Sequence, residues 1–108
     1  MIQATFFKDS EGNYKGFSLL GHAGYDEAGK DIVCASVSIL AISTVNSIEQ
    51  ITKDDIQYYT DEETGCLTCS FPGKINKGSK LLIDSFLFNL KQLRKDYKKY
   101  IKISIKEV

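Results

Sequence analysis

Apolar and polar residues alternate from Ile2 to Phe7, with Ile2, Ala4 and Phe6 on one face. That period of two predicts a half-buried strand. Asp9-Ser10-Glu11-Gly12-Asn13 supplies turn residues, whose short side chains bond their own backbone or tolerate positive φ. Lys15 to Leu20 returns as a second strand, which makes a hairpin. Gly21 to Lys30 has no apolar period and holds Gly21, Gly24 and Gly29, so it reads as a loop. From Asp31 to about Thr52 the spacing becomes helical. Val37, Leu40, Ala41, Thr44, Val45 and Ile48 fall on one stripe. Asp31 is the N-cap candidate, since its carboxylate can accept from the amide of Val33 or Cys34.

Asp55 to Thr60 and Cys66 to Phe71 flank Asp61-Glu62-Glu63-Thr64-Gly65 and predict a second hairpin, ended by Pro72-Gly73. Lys77 to about Lys99 reads as a second helix. Its centre, Leu81-Leu82-Ile83 with Phe86-Leu87-Phe88, is apolar on more than one face. Such a helix needs a core or another chain to cover it. Ile101, Ile103 and Ile105 then alternate with Lys102, Ser104 and Lys106 as a final strand. The order β-β-α-β-β-α-β implies an α+β fold with a mainly antiparallel sheet and two helices. A chain of 108 residues is expected to form a single domain over 1–108.

Composition leaves this picture in place: 43% hydrophobic and 26% charged residues fit a globular chain rather than a disordered one. Charge adds something, because the net balance of zero hides a split. Residues 1–70 carry four basic and eleven acidic side chains, and residues 71–108 carry ten basic and three acidic ones. Lys91, Arg94, Lys95, Lys98, Lys99, Lys102 and Lys106 hold half of all the basic charge. This stretch reads either as a nucleic-acid- or ribosome-facing surface or as a solvated helix face followed by a Lys-guarded strand edge. The N-terminal residues lack the order of a signal peptide. The longest apolar-rich stretch, Val33 to Val45, is broken by Ser36, Ser38, Ser43 and Thr44, short of the roughly 18 unbroken residues expected of a membrane span. A cytoplasmic protein without membrane contact is expected. Cys34, Cys66 and Cys69 do not form a disulfide framework. Cys66-Leu67-Thr68-Cys69 has the spacing of half a zinc site, but no second pair exists, so a metal site is not expected.

The chemistry concentrates between Gly21 and Ser38. This stretch contains the only imidazole, His22, and a thiol, Cys34, in the first turn of the first helix. Thiol chemistry runs through the thiolate. A helix N-terminus favours that anion through its partial positive charge and unpaired amides. The same amides would suit the oxyanion of a tetrahedral intermediate. His22 precedes Cys34 by twelve residues, and Gly24 and Gly29 allow the chain between them to fold back. Imidazole and thiol can then act as base and nucleophile. Ser38 lies one turn after Cys34 on the same face, within hydrogen-bonding reach of such a site. Asp31 either orients His22 or only caps the helix. Blander readings stand beside these. A lone His can be a surface residue, Cys is often a core residue, Ser38 can be inert, and the glycines can simply serve turns.

Gly21-His22-Ala23-Gly24-Tyr25, followed by Gly29-Lys30-Asp31-Ile32-Val33-Cys34-Ala35 and Ser38, resembles the signature of the ribosomal-processing cysteine protease family, Prp. The resemblance extends over nearly the whole chain. It implies a cysteine endopeptidase that removes the N-terminal extension of a large-subunit bacterial ribosomal protein during ribosome assembly. It further implies Cys34 as nucleophile, His22 as proton acceptor, no cofactor and a homodimer. An apolar pocket beside Cys34, lined by side chains of either helix, is expected to receive aromatic residues at the cut. The loop from Ala23 to Lys30, hinged at its glycines, is expected to move when peptide binds. The alternative is a non-enzymatic ribosome- or RNA-binding module that uses the basic C-terminal half.

Overall fold

Strands β1 (Ile2–Lys8) and β2 (Tyr14–Leu20) pair antiparallel, with Ala4 opposite Leu19 and Phe6 opposite Phe17. Asp9 fixes the turn between them, its carboxylate accepting from the Glu11 and Asn13 amides at 2.9 Å. The chain continues through α1 (Ile32–Ser47), a π-helical turn (Ile48–Thr52), β3 (Gln57–Asp61), β4 (Cys66–Ser70), α2 (Lys77–Asp96) and β5 (Ile101–Glu107). This computed structural model describes every residue except Ala28. The strands form one five-stranded sheet in the order β3-β4-β2-β1-β5. Three of its four pairings are antiparallel, as the sequence predicts. The fourth, β1 with β5, is parallel. Parallel neighbours need a crossover connection, and α2 leads directly into β5.

One face of the sheet is buried. Ile2, Ala4 and Phe6 join Phe17, Leu19, Leu67, Cys69 and Ile101 in a single cluster with Val33, Val37, Ala41 and Val45 of α1 and Ile83, Phe86 and Leu90 of α2. Phe86 meets Phe6 and Phe17 at ring-centroid distances of 5.3 and 5.2 Å, the spacing at which tilted aromatic pairs attract. Thr52, Asp54 and Ser79 tie the π-helical turn to the start of α2. The buried Ser79 hydroxyl lies 2.6 Å from both the Thr52 hydroxyl and an Asp54 carboxylate oxygen.

The buried stripe of α1 starts one turn earlier than its spacing predicts. Val33 is enclosed and Leu40 only half-covered. α1 is apolar on its outer side too, with Ile39 61% exposed, and α2 leaves Leu81 and Phe88 outward. One membrane expectation needs correction. The continuous helical segment Ile32–Thr52, 21 residues, is long and apolar enough to cross a membrane. Scattered Ser and Thr break an apolar run without making the average polar. In this fold the segment serves as a core helix.

Candidate active site

The site begins with Asp31. One of its carboxylate oxygens accepts from the Val33 and Cys34 amides, both at 3.0 Å. The other accepts from the Tyr25 amide at 3.0 Å and the Asp26 amide at 3.4 Å. Asp31 is therefore the N-cap and also the tether of the preceding loop. Among the described residues it makes no hydrogen bond to His22. Burial opposes its ionisation, but the amides of Cys34, Asp26 and Tyr25 outweigh that and hold its carboxyl below the usual range.

Cys34 is half-buried at this helix start, and its sulfur accepts from the Ala23 amide at 3.1 Å. Burial pushes its thiol up, the Ala23 amide opposes the rise, and the Asp31 charge adds to it. The expected acidification by the helix start is thus reversed in the resting site. The expected free oxyanion donors are likewise engaged, since Asp31 occupies the Val33 and Cys34 amides and its own carbonyl accepts from Ala35.

His22 is exposed and sits where three backbone segments meet. Its carbonyl accepts from the Met1 ammonium at 2.6 Å. Gly21 before it donates to the Thr64 carbonyl at 3.1 Å. Its ring Nε2 lies 3.0 Å from the Glu63 carbonyl. Gly21 (φ +91°) and Gly65 (φ +67°) make this joint possible. A Cβ on Gly21 would lie 2.6 Å from the Met1 carbonyl oxygen, and one on Gly65 would overlap the Gly21 carbonyl. Gly21 is therefore part of a packed joint. Gly24 and Gly29 also have positive φ but face open space. Tyr25 anchors the loop between them, its ring edge-on to Tyr97 and Tyr100 at 5.6 and 5.2 Å.

His22, Cys34 and Ser38 together border two clefts of about 460 and 440 Å³. The larger has apolar walls from Leu19, Val37, Ile42, Tyr58 and Leu67. The expected apolar pocket beside Cys34 is present, but its walls come from α1 and the sheet, with none from α2. Gly24, Gly29 and Asp31 border the smaller cleft. Of the other cysteines, Cys66 also borders the larger cleft and Cys69 does not. Cys69 is enclosed in the core, and burial, then the Glu49 charge, pushes its thiol up to about 11. Cys66 is half-exposed. Among the described residues no cluster of His, Cys, Asp or Glu could hold a metal ion.

The family model for the cysteine protease Prp matches residues 1–102. The chain belongs to the Prp cysteine protease family. The ribosomal processing cysteine protease Prp of Bacillus subtilis is 27% identical, over 96% of each chain. Two solved structures of the Staphylococcus aureus Prp cover 98% of this chain and all of their own. One holds a covalently linked product peptide (TM-score 0.92, 26% identity), the other a substrate peptide (TM-score 0.87, 25% identity). Membership in Prp makes the chain a cysteine peptidase and removes the need for a purely binding role.

Proposed function

We propose that this chain is the endopeptidase that trims the N-terminal extension of a large-subunit ribosomal protein, with Cys34 as nucleophile and His22 as its base. The observation that carries this reading is the convergence of the chain's only imidazole and a helix-start thiol on one apolar-walled cleft. The relatives add the substrate class, since they are named for ribosomal processing and two carry peptides.

The chemistry follows from these roles. His22 takes the Cys34 proton as the sulfur attacks the scissile carbonyl carbon, and the Ala23 amide steadies the developing thiolate. The carbonyl π electrons move onto oxygen. An oxyanion that recruits the Cys34 amide displaces Asp31 from it, so peptide binding and a shift of the Asp31-tethered loop are coupled. Collapse expels the amine, which leaves with the proton from His22. Water then attacks the thioester, releases the leader acid and restores the thiol. The apolar walls suit aromatic leader residues, and Ser38 supplies a hydroxyl at the mouth of both clefts. The outer Ile32 and Ile39 of α1, with Leu81 and Phe88 of α2, suit burial between two copies in a homodimer. The work belongs to the cytoplasm, where the ribosome is assembled.

The test is incubation of the extended ribosomal protein with wild type, Cys34→Ala and His22→Ala. Wild type removes the leader, and both variants leave the substrate intact while retaining native circular dichroism. Cleavage by Cys34→Ala at the wild-type rate refutes the reading.

A further inference from the structure

We infer that the β3–β4 turn, residues 61–65, positions His22 by holding the hydrogen on its Nε2, which leaves Nδ1 as the nitrogen that takes the Cys34 proton. The inference rests on the reading of His22 as base, and it adds a tautomer and a source for it. A carbonyl oxygen can only accept, so the 3.0 Å contact between Nε2 and the Glu63 carbonyl places the hydrogen on Nε2. A neutral imidazole has one N–H, so its lone pair is then on Nδ1.

The turn is built to keep that carbonyl in place. The Asp61 side chain accepts from the Glu63 amide at 3.1 Å, and the Gly65 amide donates to the Glu62 carbonyl at 3.3 Å. Thr64 accepts from Gly21, so the turn is bonded to the residue directly before His22. Gly65 packs onto the same residue. Ring and acceptor therefore move as one frame. Asp31, the carboxylate that the sequence offered for this task, is spent on four amides. Asp61 is a positioning residue that acts through the Glu63 backbone.

Two measurements test this. Long-range nitrogen–proton NMR on labelled wild type reads the tautomer directly, because one histidine gives one set of ring signals. The neutral ring is expected as Nε2–H, and a dominant Nδ1–H form overturns the inference. This result does not depend on catalysis, so it separates from loss of the base role, which His22→Ala reports. In parallel, Asp61→Ala is expected to lower kcat roughly five- to tenfold with KM nearly unchanged, and to mix the tautomers. Asp61→Asn keeps an acceptor for the Glu63 amide and is expected to recover most of kcat. Unchanged kcat and tautomer in Asp61→Ala, or an Asn variant as slow as Ala, overturns the positioning role.

Discussion

Removing the Asp31 carboxylate is expected to weaken the fold and sharpen the thiol at once. Its four amide contacts have distinct values. Loss of an Asp N-cap costs about 1 kcal/mol, and two exposed loop amides add roughly 0.5 kcal/mol each. Asp31→Ala should therefore lose about 2 kcal/mol, or roughly 8 °C in Tm for a chain of this length. Asn has one acceptor oxygen where Asp has two, so Asp31→Asn can serve the helix amides or the loop amides but not both. About half the loss should return. Thiol reactivity should move the other way. The Asp31 charge and its occupation of the helix-start amides both keep Cys34 protonated. Either variant should speed iodoacetamide labelling of Cys34 several-fold at neutral pH, read by peptide mass mapping. The stability difference should also depend on acid. Asp31 has a folded pKa below its usual 3.8, so its contribution is present above that value and lost as pH falls through the folded pKa. The Tm gap between wild type and Asp31→Ala should close there. An unchanged Tm in Asp31→Ala, or slower labelling of Cys34 in both variants, refutes the reasoning.

Three further outcomes follow from the packing. Gly65→Ala forces a Cβ into the Gly21 carbonyl at φ +67°. It should cost more than about 1 kcal/mol in urea unfolding and lower peptidase activity by displacing His22; full activity at native stability contradicts the described joint. Tyr14→Phe removes the hydroxyl that donates to Asp84 at 2.6 Å and should cost about 1–2 kcal/mol at neutral pH. Burial, then Asp84, raises the Tyr14 pKa above its usual 10.0. The hydroxyl's stabilisation is therefore present below pH 10 and lost above it, so the gap between wild type and variant should narrow in alkali; a widening gap refutes the sign. In the native protein at neutral pH, iodoacetamide should modify Cys34 and spare Cys69, whose thiol is enclosed; equal labelling rates contradict that burial.

The strands, the first hairpin and the start of α1 were legible in the sequence because they depend on residues within a few positions of one another. Alternation at Ile2, Ala4 and Phe6, turn chemistry at Asp9 to Asn13 and the Asp31 cap all act locally. The parallel placement of β5 beside β1 depends on the path of α2 across the sheet, which no local pattern encodes. The thiol direction was misread for a similar reason. A helix start favours a thiolate, but here burial opposes it first and the capping Asp31 charge adds to the rise. Glu63 was missed because its contribution is a backbone carbonyl, forty-one positions from His22, and any residue type supplies one. Its only trace was the conspicuous turn from Asp61 to Gly65, which ends in a glycine. The outer isoleucines of α1 lay off the predicted stripe, so their exposure emerged only once the helix was seated on the sheet.

In the proposed mechanism one sulfur, that of Cys34, carries the acyl group during cleavage. Acid quench of wild type turning over the extended ribosomal protein, followed by peptide mass mapping, tests it most directly. The Cys34 peptide should carry the mass of the leader as a thioester. A leader attached at Cys66, or a quenched enzyme that never carries one while Cys34→Ala still cleaves, would contradict it.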